Sequence, residues 1–82
     1  MAPSQIRVLL FAALREVAGA SHVETDAPDV GTLLDELGAR YGPEFERIVR
    51  MGTVLVDGER ADRGRVLAPD DEVALLPPVS GG

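Results

Sequence analysis

Two segments near the ends of the chain carry closely set apolar residues, and apolar positions recur every three or four residues between them. The run Ile6-Arg7-Val8-Leu9-Leu10-Phe11 is rich in β-branched and large apolar side chains and predicts a strand over 6–11. The stretch AALREVAG follows (12–19), and its terminal Gly19 suits a short helix of about two turns closed by a glycine cap. HVETD (22–26) alternates and stops at Ala27-Pro28, so it reads as a second strand paired back on the first. Asp29 is placed to cap a helix whose apolar residues, Val30, Leu33, Leu34, Leu37 and Tyr41, share one face. Gly42-Pro43 interrupts that pattern, and EFERIV (44–49) predicts a further helical turn directing Phe45, Ile48 and Val49 to the core. TVLVDGE (53–59) has strand composition with a turn at Asp57-Gly58, and RADRGRVLAP (60–69) is loop-like. DDEVALL (70–76) is the last strand, ended by Pro77, which has no amide to donate.

The order strand, short helix, strand, long helix, strand, loop, strand defines an α+β domain. It matches a β-grasp, the ubiquitin-like roll: one mixed sheet of about four to five strands with one main helix packed across it. The first and last strands are expected to lie parallel and central. Residues 1–76 are expected to form the domain, and 77–82 a flexible C-terminal tail ending in Gly-Gly. If Ile6, Val8 and Leu10 face the helix, then Arg7, Leu9 and Phe11 face away. By the same alternation Val73 and Leu75 point inward, and Glu72, Ala74 and Leu76 outward. Isolated apolar side chains are normal on a surface, but Leu9, Phe11, Ala74 and Leu76 converge beside the tail and are expected to form a partner interface.

Composition narrows the function. Eighty-two residues with 45% hydrophobic content make one domain with a modest core. A formal net charge of −6 and only three aromatics, Phe11, Tyr41 and Phe45, argue against a nucleic-acid partner. The chain has no cysteine, which excludes disulfides and thiol chemistry and is compatible with a cytoplasmic location. VLLFAAL followed by AGAS imitates a secretion signal, but the apolar run has only seven residues and Arg15-Glu16 interrupts it. No run approaches the ~18 apolar residues of a membrane span, so no membrane partner is expected.

The end of the chain, PPVSGG (77–82), needs its own account. A frayed terminus or a cloning remnant would explain the glycines blandly. Other candidate chemistry is weak. His22 is the only histidine, whereas a metal site takes three or four ligands, so no metal is expected. Ser80 has no neighbouring base to activate it. Asp35-Glu36 and Asp70-Asp71 suit a solvated helix face and a turn, and Arg15-Glu16 either contacts a partner or forms a surface pair.

FAALREVAG after the first strand and DDEVALLPPVSGG at the end resemble the ubiquitin-like sulfur carriers of the MoaD/ThiS type, in particular the small subunit of molybdopterin synthase. The likeness covers the whole chain in length and element order. It departs at Asp70, where the family more often has glycine, and this puts the geometry of that turn in question. The resemblance implies a protein with no catalytic side chains and no bound cofactor. An E1-like enzyme would use ATP to adenylate Gly82, and a sulfur donor protein would convert it to a thiocarboxylate. Pro77, Pro78, Val79, Ser80 and Gly81 would then thread the active site of a large catalytic subunit, within a heterotetramer, to deliver the sulfur of the molybdopterin dithiolene. The same tail is compatible with thiamine or tRNA thiolation, or with a ubiquitin-like modifier joined to target lysines.

Overall fold

The computed structural model describes residues 5–78. Among these residues the chain runs β1 (Ile6–Leu10), α1 (Ala13–Ala18), β2 (His22–Thr25), α2 (Val30–Tyr41), α3 (Pro43–Met51), β3 (Thr53–Val56), β4 (Glu59–Arg60) and β5 (Glu72–Leu76). The strands form one sheet in the order β2-β1-β5-β3-β4. β1 and β5 are parallel neighbours, whereas the other pairings are antiparallel. The mixed sheet and its parallel inner pair are those expected from the sequence.

The inner sheet face carries Ile6, Val8, Leu10, Val56, Val73 and Leu75, all buried. Leu14, Val30, Leu33, Leu37 and Phe45 cover it from the helical side. Burying side chains of this size contributes roughly 1.5–3 kcal/mol each, which holds the helices against the sheet.

Beside the short α1, the helical side carries two helices, α2 and α3, where one main helix and a single further turn were expected. Gly42, with φ 101°, turns the chain between them, and Pro43 opens α3 at a position that needs no amide donor. Tyr41 and Phe45 meet across this corner with ring centroids 5.2 Å apart. The loop over 61–67 is stitched to the start of α2. Val30 and Gly31 donate to the carbonyls of Arg65 and Arg63, each at 2.9 Å, and Leu67 donates to Pro28 at the same distance. The Asp29 carboxylate accepts from the Thr32 amide at 2.7 Å, so the first donors of α2 are all used.

β4 straddles the end of the expected strand stretch 53–59 and the start of the expected loop 60–69. Its two residues, Glu59 and Arg60, are both exposed, so no apolar pattern announces it. Asp57 and Gly58 form the tight connection from β3 with φ of 50° and 85°, the positive values that a two-residue hairpin of matching twist requires.

Candidate functional site

The outward sheet face is organised by strand register. Glu24 lies beside Arg7, and Arg7 beside Glu72, forming a charged row where β5 begins. The next row runs His22, Leu9, Ala74, Leu55 and Arg60. Thr53 pairs with Leu76, and one more step in the β1–β5 register sets Phe11 level with Leu76. The face is therefore graded, charged at one end and apolar at the end from which the tail departs. Leu9, Leu55, Ala74 and Leu76 are half-buried, and Phe11 is 41% exposed.

Of the four residues expected outward, Leu9, Ala74 and Leu76 share one face by register, and Phe11 stands exposed at its apolar end. Phe11 lies one residue beyond β1, which ends at Leu10. The chain turns there into α1 through Ala12, whose φ of 50° and ψ of −122° are rare for any residue but glycine. Such a conformation costs of order 1–3 kcal/mol. The corner is held by the Leu14 amide donating to the Phe11 carbonyl at 3.0 Å and by the α1 turn that follows.

Leu55 completes the apolar row and escaped the reading of the sequence. Val54, Leu55 and Val56 are consecutive apolar residues, so alternation within β3 does not say which one faces out. Pairing with Ala74 decides it, because Val54 pairs with inward Leu75 and Val56 with inward Val73.

The β3–β5 ladder ends at Thr53 and Leu76, and Pro77 follows half-buried and Pro78 exposed, outside any strand. Val79, Ser80, Gly81 and Gly82 lie outside the described residues. His22 sits exposed on the edge strand β2. Arg15 and Glu16 are exposed on α1. Asp35 is engaged by Arg63 at 2.9 Å, and Glu36 accepts from the buried Thr25 hydroxyl at 2.7 Å. These two acids of α2 thus have structural partners in the 61–67 loop and on β2. A separate groove of about 350 Å³ opens between α2, α3 and the 61–63 loop, on the helical side of the sheet, and includes Leu34, Val49 and Val54. Among the described residues, none of the expected site residues lines it.

The sequence pattern of the ThiS family matches residues 8–82. The chain belongs to the ThiS family. Small archaeal modifier protein 1 of Haloferax volcanii is 42% identical over 83 residues, spanning 89% of this chain and 95% of that protein. The molybdopterin synthase sulfur carrier subunit of Arabidopsis thaliana is 32% identical over 81 residues, spanning 95% of this chain and 83% of the relative. The crystal structure of the Haloferax volcanii modifier superposes with a TM-score of 0.81 at 38% identity, covering 95% of this chain and 99% of that one. The fold is accordingly a β-grasp, and the chain is a ubiquitin-like sulfur carrier domain of the MoaD/ThiS type. Among the described residues, no helix of this ThiS-family chain is long and apolar enough to cross a membrane.

Proposed function

We propose that the chain is the small subunit of molybdopterin synthase, carrying sulfur on Gly82 for the dithiolene of molybdopterin. The observation that carries this reading is the grading of the outward sheet face. Its apolar end, Leu9, Phe11, Leu55, Ala74 and Leu76, stands at the root of the segment that ends in Gly-Gly. A partner seated on these residues receives the tail directly. The 32% identity to a molybdopterin synthase sulfur carrier subunit supports the same assignment.

The chemistry follows from the carboxyl group. With a pKa of about 3.3–3.7 it is an anion at neutral pH, and its oxygen is not a leaving group. An E1-like adenylating enzyme solves this with ATP: the carboxylate attacks the α-phosphorus and pyrophosphate departs. Sulfur delivered at the sulfide level by a donor protein then attacks the acyl carbon, the bond to AMP breaks, and a thiocarboxylate remains. Gly81 and Gly82 have no side chains, so a narrow channel can close around them. Pro77 and Pro78 restrict the backbone and lower the entropy lost on threading. Four residues from Val79 extend about 13–14 Å, enough to reach a recessed site while the domain stays outside. The carrier binds no cofactor of its own, and the catalytic side chains belong to the large subunit of a heterotetramer in the cytoplasm.

A second reading is favoured by the 42% identity to small archaeal modifier protein 1: conjugation of Gly82 to lysines of target proteins. Reconstitution separates the two. Thiocarboxylated carrier, the large subunit and the sulfur-free pterin precursor should together yield the dithiolene, and omission of either protein should abolish it. Formation of protein conjugates in cell extract, with no dithiolene in the reconstitution, would favour the modifier.

A further inference from the structure

Where the tail leaves the domain, two backbones pass closer than side chains allow. Continuing the β3–β5 register beyond Thr53 and Leu76 sets Gly52 opposite Pro77. A Cβ built on Gly52 would fall on the Leu76 carbonyl oxygen, with the Leu76 carbonyl carbon at 3.1 Å and the Pro77 Cα at 3.2 Å. All three are backbone atoms, so no side-chain rotation can make room. Gly52 has φ −99° and ψ −153°, an extended conformation open to any residue, so backbone torsion does not require the glycine. Contact with the root of the tail does.

The two sides of this contact are fixed differently. Gly52 is held from the helix side, its amide donating to the Val49 carbonyl at 3.1 Å, and β3 begins at the next residue. On the tail side, Leu76 makes the last ladder pairing, and Pro77, having no amide, cannot continue it. The direction in which 77–78 depart is therefore set by packing against Gly52.

We infer that Gly52 is a positioning residue for the tail: its missing side chain lets the α3–β3 junction support Leu76 and Pro77, aiming the chain that follows. This rests on the tail being the functional element, as proposed above. A methyl group at 52 leaves the tail chemically intact but re-aims it.

The test is Gly52→Ala in the full chain, with one-bond Cα–Hα residual dipolar couplings measured for Pro77 and Pro78. In the wild type both prolines should fit the alignment tensor defined by β1, β3 and β5. In Gly52→Ala the strands should keep their fit while both prolines leave it. With the activating enzyme that thiocarboxylates the wild type, KM for the variant should rise at least fivefold and kcat should hold. Unchanged proline couplings in a folded Gly52→Ala would overturn the inference. Should Gly52→Ala fail to fold, the same change is made together with Pro77→Gly and Pro78→Gly, which frees the tail root to swing aside. A restored fold with KM raised above that of the Pro77→Gly and Pro78→Gly variant that keeps Gly52 upholds positioning. A KM equal to that variant's contradicts it, as does continued unfolding, which makes the contact one of folding alone. If the wild type accepts no sulfur, the carrier reading falls, while the couplings still decide the role of Gly52.

Discussion

Asp70 occupies the second central position of the turn 68–71, after Pro69, with φ of 72°. The Asp71 amide donates to the Ala68 carbonyl at 3.1 Å, and the Asp71 carboxylate accepts from the Ala68 amide at 2.9 Å. Proline followed by positive φ is the arrangement in which glycine is preferred, because a Cβ there crowds the backbone. The departure noted in the sequence is thus a locally strained aspartate in a turn that its neighbours enforce. Asp70→Gly should stabilise the domain by about 1 kcal/mol, since relief of the left-handed conformation outweighs the added freedom of the unfolded chain. Thermal melting checks this, and a lower midpoint for Asp70→Gly would contradict it. Phe11 makes the complementary case. It is exposed at the apolar end of the outward face, so Phe11→Asp should leave the melting temperature close to wild type. A charge desolvated at an interface core costs several kcal/mol, so affinity for the large subunit should fall at least tenfold. Unfolding of Phe11→Asp, or unchanged affinity in a binding titration, would contradict the placement of the interface.

At the scale of elements, the start of α2 is pinned by side chain and loop together. The Thr32 backbone amide, and then its side chain, hold the Asp29 carboxyl below the usual carboxylate range; Arg63 acts in the same direction and desolvation opposes. A depressed folded pKa stabilises above the unfolded value near 3.9 and loses that contribution as pH falls through the folded one. The stability of wild type relative to Asp29→Asn should therefore be constant near neutrality and decline as pH drops below about 4. Denaturant midpoints of both proteins across that range test it, and a difference that grows on acidification would contradict the cap. Elements such as α2 were legible because Val30, Leu33, Leu34, Leu37 and Tyr41 declare a helical face, and β1 and β5 because their alternation sorts inner from outer residues. β4 was not, since Glu59-Arg60 buries nothing, and α3 was read short because Arg50 and Met51 at its end are exposed. Leu55 and Gly52 gain their roles from the partners opposite them on β5, which no local pattern encodes.

For the whole molecule, a −6 domain presents an apolar sheet end and a tail without bulky terminal side chains, and all eight of its basic residues are arginines. An activated glycyl carbonyl is attacked by neutral amines. The guanidinium of arginine keeps its proton and does not supply one. Within these 82 residues only the α-amine, with a pKa of about 7.7–8.0, can act as an acceptor. The adenylated carrier should therefore form no lysine-linked multimers, and any residual band on a denaturing gel should disappear after N-terminal acetylation. A ladder that survives acetylation would require an acceptor absent from the sequence. The central claim concerns the fate of Gly82 itself, and intact mass spectrometry reads it directly. After incubation with the adenylating enzyme, ATP and a sulfur source, the mass should change by replacement of one oxygen with sulfur, and removal of Gly82 should abolish the change. An unaltered mass, with an enzyme demonstrably active on another carrier, would contradict the account.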